Sequence, residues 1–269
     1  MRSRLAIASR QNPRFKELRS LAEDPRRHGA ALAEGIHLVA TCIERGVVIK
    51  LLVISDSGLK NEEVGRLVDR AGGIDCLQLS DVLYREVTGI GAPTGIAAVI
   101  EIPAASDVPL QGDTVLLDAV QDAGNVGAIL RTAAAAGIHD VMLGAGCAGA
   151  WNMKVLRAAQ GAHFSLSIRE QVDLAAALAG YGGLSVATVA HGGVEIHDTD
   201  LSGPVCWLFG NEGAGLSPAM LAVARIHATI PLAAGTESLN VAAAAAICLF
   251  EARRQRRKVK RPALGGPFV

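Results

Sequence analysis

From residue 114 onward, short apolar runs alternate with helix-period stretches, and several runs stop at turns of small residues. The runs at 114–118, 140–143, 164–168, 185–190 and 205–209 have strand length. Between them, the spacing predicts helices opening around Asn125 and ending at Gly137, over 152–160, and from Asp173 to Ala179. Parallel strands need a crossover of this kind, whereas antiparallel strands can be joined by tight turns. The alternation therefore predicts a parallel sheet covered on both faces.

The densest polar and glycine signals fall where such strands end. Trp207-Leu208-Phe209 leads into Gly210-Asn211-Glu212-Gly213-Ala214-Gly215-Leu216-Ser217, a glycine-rich turn carrying one carboxylate. Ser217 and Pro218 read as the cap and first residue of a helix. A second short strand ends at Ile230-Pro231-Leu232, and a third turn delivers Glu237-Ser238-Leu239-Asn240-Val241 to the head of a long Ala-rich helix. Ligands of open α/β sheets bind at the carboxyl ends of strands.

Residues 1–105 read as a separate small α/β unit. It has helices at 15–21, 31–45 and 62–71, a short one capped by Ser80-Asp81, and strands at 49–55, 76–79 and 96–102. Its opening is basic: Arg2, Arg4, Arg10, Arg14, Lys16, Arg19, Arg26 and Arg27 stand against Glu17, Glu23 and Asp24. That is either a solvated helix face or a phosphate-contacting patch. Residues 103–112, with two prolines, read as a linker, and 106–269 as the second domain. Its tail carries Arg253, Arg254, Arg256, Arg257, Lys258, Lys260 and Arg261, either a frayed helix end or a second patch facing RNA.

The whole chain of 269 residues has 26 basic and 26 acidic side chains, so any nucleic-acid contact must be a local patch. Aromatic residues make up 3%, which leaves the core to Ala, Val, Leu and Ile. The cysteines at 42, 76, 147, 206 and 248 form no C-x-x-C pair and read as small hydrophobes in a reducing compartment, with no metal implied. No apolar h-region follows Met1-Arg2-Ser3-Arg4, and the most apolar run, 241–250, is far short of the ~20 residues of a membrane span. A cytoplasmic protein with no membrane contact is expected.

Gly144-Ala145-Gly146-Cys147-Ala148-Gly149 matches G-x-G-x-x-G, with Glu170 downstream where the dinucleotide fingerprint has an acid. It follows the second strand of its domain instead of the first, and Trp151-Asn152-Met153-Lys154 crowds the turn where a pyrophosphate would lie. A nicotinamide-dependent enzyme is the weaker reading.

Three separated blocks resemble the motifs of the SpoU-type (TrmH-like, SPOUT superfamily) RNA 2′-O-ribose methyltransferases. They are Asn125-Val126-Gly127-Ala128-Ile129-Leu130-Arg131-Thr132-Ala133, the 208–217 turn, and 230–232 with 237–241. Asn152-x-Lys154-Val155-x-Arg157-Ala158 is similar to the family's intermediate helix, with Ala159 where the family often has Ser. Ala33-Glu34-Gly35 and Pro93-Thr94-Gly95 are similar to parts of its substrate-binding domain. The resemblance implies a ribosomal-protein-like RNA-binding domain followed by an α/β domain with a deep trefoil knot. It also implies S-adenosylmethionine as cofactor, a homodimer, no metal, and RNA as substrate. The two-domain layout points to ribosomal RNA. A transfer-RNA enzyme, or a catalytically silent RNA-binding or assembly factor on the same fold, is the alternative.

The same resemblance implies that Thr188, Leu208, Gly210, Ile230 and Leu239 hold the cofactor, and that Arg131, Asn125, Glu212, Ser238 and Asn240 form the catalytic group. Lowering a guanidinium pKa from about 13 to about 7 would cost ~8 kcal/mol, so Arg131 is better suited to grip a phosphate and stabilise a developing alkoxide than to act as a base. Asn125 reads as N-cap of the Arg131 helix, Ser238 as cap of the last helix, and Glu212 as a group that orients Arg131 or Asn125, within one protomer or across the dimer.

Overall fold

The computed structural model describes residues 4–104 and 110–259, which fall into two compact units. The first comprises residues up to Ala104 together with Gly149–Phe164. It contains β1 (Arg4–Ile7), α1 (Pro13–Glu23), α2 (Pro25–His28), β2 (Ala30–Glu34), α3 (Ile36–Glu44), β3 (Ile49–Ser55), α4 (Glu62–Arg70), β4 (Cys76–Leu79), α5 (Asp81–Thr88) and β5 (Ile96–Glu101). The sheet order is β1-β4-β3-β5-β2, with β1, β4 and β3 parallel and β5 antiparallel to both β3 and β2.

Two elements differ from the sequence expectation: the strand expected at 164–168 is a 3-10 turn over Ala162–Ser165 followed by a strand over Ser167–Glu170, and the second lies in the first unit. Residues 31–45 are not a single helix: Ala30–Glu34 forms strand β2, all five residues are buried, and Gly35 at φ 116 separates it from α3. The Ala-rich composition favours helix locally, but pairing along the whole of β5 outweighs that preference. Strand β1 also carried no recognisable pattern, being four residues at an edge of the sheet.

The basic opening is partly neutralised. Glu86 accepts from Arg10 at 2.6 Å and from Arg19 at 3.4 Å. Arg14, Lys16, Arg26 and Arg27 are exposed and make no ion pair among the described residues. Arg2, Lys260 and Arg261, like residues 105–109 of the expected linker, lie outside the described residues, as do the side chains of Arg4 and Lys258.

The second unit is built on β6 (Thr114–Leu117), α6 (Ala123–Ala136) and β7 (Asp140–Leu143). The chain then forms α7 (Met153–Ala159), which packs within the first unit against β2, where Arg157 Nε stands 4.0 Å from the buried Glu34 carboxylate. It returns as β8 (Ser167–Glu170), α8 (Leu174–Ala179), β9 (Leu184–Thr188), β10 (Val194–Glu195), β11 (Val205–Phe209), α9 (Pro218–Val223), β12 (Ile226–Thr229) and α10 (Val241–Val259). The seven strands are all parallel, in the order β10-β12-β9-β11-β6-β7-β8. From β6 the chain moves outward to β7, and from β11 it moves the opposite way to β12 beyond β9. The crevice between β6 and β11 is thus a topological switch point.

The cysteines fit the reading as apolar filler: Cys42, Cys206 and Cys248 are buried, and burial pushes each thiol up to about 12. No group of metal ligands and no helix long and apolar enough to cross a membrane occurs among the described residues.

Candidate active site

A cavity of about 260 Å³ opens at the carboxyl ends of β9, β11 and β12. Residues 188–190, 210–215 and 230–241 bring their loops together there, because parallel strands end on one edge of the sheet. Ala228, Ile230, Leu232 and Leu239 supply apolar lining, and Thr188, Asn211, Glu212, Ser238 and Asn240 the polar groups.

The glycine turn after β11 is fixed by its own backbone. Asn211 and Gly215 exchange two hydrogen bonds of 2.9 Å, and Asn211 Oδ1 accepts from the N–H groups of Gly213 and Ala214. Asn211 Nδ2 donates at 2.9 Å to the carbonyl of Ala119, which sits at φ 54 in the left-handed region, uncommon for a residue with a Cβ. Asp118 Oδ2 accepts from Ser217 N at 2.7 Å. The loops after β6 and β11 are thereby stitched across the switch point. The glycine-rich turn is a recognisable signal, but its partner at Ala119 is distant in sequence and could not be read from it.

Glu212 is the hub. Its carboxylate accepts from Gln121 N at 3.2 Å, Asp122 N at 3.1 Å and Asn125 Nδ2 at 3.0 Å. Partial burial raises its pKa, yet these donors outweigh that and hold it below the usual glutamate value. Asn125 Oδ1 then accepts from Asn240 Nδ2 at 2.8 Å. Asn240 Oδ1 in turn accepts from Ala242 N at 2.9 Å and Ala243 N at 3.2 Å, at the first turn of α10. Three loops distant in sequence are joined in one polar chain, Glu212–Asn125–Asn240.

Two capping expectations are corrected. Asp122, not Asn125, caps α6, with its Oδ1 accepting from Asn125 N at 2.8 Å; Asn125 already lies inside the first turn, leaving its amide free to bridge Glu212 and Asn240. At α10 the cap is Asn240 and not Ser238, because a cap acceptor must sit within two or three residues of the N–H groups it meets. Ser238 instead lines the cavity.

Of the expected cofactor residues, Thr188, Gly210, Ile230 and Leu239 line the cavity. The Leu208 side chain does not: it is fully buried, packed with Leu116, Leu216 and Met220, and its carbonyl accepts from Thr188 Oγ1 at 2.7 Å. Alternation along β11 sends the Leu208 side chain into the core. Arg131 is exposed on α6, is not part of the cavity lining, and makes no hydrogen bond or ion pair among the described residues. The structure thus gathers Asn125, Glu212, Ser238 and Asn240 and leaves Arg131 apart. The expected role of Glu212 divides accordingly: it meets Asn125 and, within this chain, not Arg131.

The tail also divides. Arg256 grips both carboxylate oxygens of Asp113 and donates to the carbonyls of Leu201 and Gly203, and Arg254 pairs with Glu251 at 2.6 Å. Arg256 is a tether for α10, not a free cation. The G-x-G-x-x-G turn forms no cradle: a Cβ on Gly144 would meet Leu174, and the helix after it belongs to the other compact unit.

Comparison with known proteins places this architecture. Residues 113–250 match the SpoU rRNA Methylase family, and residues 12–98 match the MRM3-like substrate binding domain. The chain is 34% identical to the 23S rRNA (guanosine(2553)-2′-O)-methyltransferase RlmP of Bacillus subtilis, over 92% of this chain and 98% of the relative. It is 31% identical to the 23S rRNA (uridine(2479)-2′-O)-methyltransferase of Streptomyces viridochromogenes, over 93% of this chain and 92% of the relative. The AdoMet-bound rRNA methyltransferase of Sinorhizobium meliloti superposes with TM-score 0.78 at 32% identity, covering 93% of this chain and 98% of that one. With its motifs, its parallel sheet and both domains matched, the chain belongs to the SpoU rRNA methylase family.

Proposed function

We propose that this protein transfers a methyl group from S-adenosylmethionine to a ribose 2′-hydroxyl of ribosomal RNA. The observation that carries this reading is the Glu212–Asn125–Asn240 chain standing beside a small cavity with an apolar wall. The residues suit the cofactor. Ala228, Ile230 and Leu239 offer an apolar seat for a purine, and Glu212, Ser238 and Asn240 offer acceptors near a cationic centre. The bound cofactor supplies an electrophilic methyl group; the protein supplies orientation and charge.

Glu212, kept ionised by its three donors, fixes the amide of Asn125, which fixes Asn240 and so the position of the loop holding Ser238 and Leu239. Arg131 has its guanidinium free to meet the RNA phosphate beside the target ribose and to stabilise the alkoxide. That it meets none of Glu212, Asn125 and Asn240 among the described residues supports a site completed by a second copy. Ile247 and Phe250 on α10 are 38% and 46% exposed, an apolar stripe at helical spacing that a homodimer would cover. The threading of residues 230–241 past the 188–190 and 210–215 loops into a knot is part of the same proposal, supported by the shared cavity lining. Residues 1–105 dock the RNA, with Arg14, Lys16, Arg26 and Arg27 as its free cations.

The test is a map of ribose methylation across total RNA from cells with and without the protein, followed by transfer from labelled S-adenosylmethionine in vitro. A ribosomal-RNA ribose that loses its methyl group without the protein and regains it with pure enzyme is expected. A missing mark confined to transfer RNA would replace the substrate, and intact marks with no binding of S-adenosylmethionine would leave a silent RNA-binding protein. Phe250→Glu is expected to convert a dimer to a monomer in sedimentation; a wild-type monomer would refute the dimer.

A further inference from the structure

A second cavity, of about 330 Å³, lies on the opposite edge of the methyltransferase sheet. Asp113 and Ile138 precede β6 and β7, so this cleft sits at the amino ends of strands whose partners' carboxyl ends carry the first cavity. Strands of four or five residues at about 3.3 Å each put roughly 15 Å between the two edges. The floor is apolar, made by Trp207, Ile138 and Leu249, and the rim carries Arg253, Arg256 and Arg257, with Asp113 the only acid of the lining among the described residues.

The charges in this rim do not cancel. Asp113 is saturated: its carboxylate takes both Nη groups of Arg256, and its Oδ1 also accepts from Val205 N at 2.9 Å. Arg256 is thereby neutralised. Arg253 uses one N–H of its guanidinium on the carbonyl of Ala136 at 2.9 Å, at the carboxyl end of α6. Arg257 is exposed and has no partner among the described residues. Two guanidinium groups, presenting forks that match phosphate oxygens, therefore border a concave site in a chain whose overall charge is zero.

We propose that this cleft binds phosphate groups, and that its occupant is the RNA backbone at a point away from the reacting ribose. Arg253 and Arg257 are the contacting residues, and Arg256 with Asp113 is the brace that holds α10 in place behind them. The proposal rests on the RNA reading above and adds a second contact surface to it, one that positions the strand and carries no sequence information.

The experiment uses the full-length protein and a fluorescently labelled mixed-sequence RNA oligonucleotide, with affinity measured against salt. Arg257→Ala is expected to lower the slope of log K against log salt by about 0.7–0.9, the loss of one phosphate contact, and Arg257→Lys to retain it. In parallel, inorganic phosphate is titrated in a thermal melt of wild type and Arg257→Ala. A lower slope together with phosphate stabilisation of wild type alone supports the proposal and shows that a free anion suffices. A lower slope without phosphate stabilisation supports it with the polymer as the source. An unchanged slope overturns it, whether or not phosphate stabilises. Calorimetry of S-adenosylmethionine with wild type runs alongside: failure there sinks the methyltransferase reading, whereas an unchanged slope with the cofactor bound sinks only the cleft.

Discussion

Replacing Gly210 with alanine adds one methyl group at the narrowest point of the site. A Cβ built there lies 2.3 Å from the carbonyl carbon of Gly215 and 2.3 Å from the amide nitrogen of Leu216. Carbon contacts are comfortable at about 3.5–4.0 Å, so the facing strand of the turn must retreat by more than about 1 Å. The neighbours are backbone atoms and cannot rotate aside. That retreat breaks the reciprocal Asn211–Gly215 pair, two hydrogen bonds of 2.9 Å, and pulls Asn211 Nδ2 from Ala119. Overpacking costs about 1–3 kcal/mol and each of the three lost hydrogen bonds about 1 kcal/mol, for a total of about 4–6 kcal/mol. For a unit of this size about 2–4 °C accompanies each kcal/mol, so the melting temperature should fall by at least about 8 °C. Glu212 and Ser217 flank the turn, so calorimetry should also show S-adenosylmethionine binding lost. A variant that melts within about 2 °C of wild type and binds the cofactor normally would refute this account of why the position holds glycine.

Other consequences concern single side chains. Asn240→Ala should lose both the α10 cap, about 1 kcal/mol, and the bond to Asn125; Asn240→Asp should recover the cap's share of the stability but neither the Asn125 bond nor methyl transfer, because a carboxylate cannot donate to Asn125 Oδ1. Thermal melts paired with transfer rates separate the two effects. Arg131→Ala should leave stability within about 0.5 kcal/mol, since the side chain has no partner among the described residues, yet slow transfer about 10²-fold; a pH–rate profile in which Arg131→Lys matches wild type would exclude any need for the planar fork. Glu251 is held at about 2, chiefly by its hydrogen bonds from Arg254. Its folded pKa lies below the unfolded value, so its contribution is fully present above about pH 4.5 and is lost as pH falls towards 2. Urea unfolding across that window should show the acid-side loss blunted in Glu251→Gln, and identical slopes would refute the pairing.

Much of this fold was legible before the structure. Buried runs such as 205–209 and 114–117 are continuous because both faces of a parallel sheet are covered, and that pattern survives in one dimension. Ser80, Asp173 and Ser217 announced their helices because a cap acts within three residues of itself. The motif blocks placed Glu212, Ser238 and Asn240 beside one cavity. Residues 31–34 read locally as helix because their strand state depends on β5, more than sixty residues away, and nothing local reports a partner that far off.

What the linear chain determined by itself was the alternation, the caps and the glycine turns, all of them consequences of forces acting within a few residues. Only tertiary structure decided that Asn125 bridges Glu212 and Asn240, and that Arg256 braces a helix while Arg257 has no partner among the described residues. Those assignments turn on which donor meets which acceptor across gaps of about ninety to more than one hundred residues. A hydrogen bond is decided by distances of tenths of an ångström, and only the folded chain sets them.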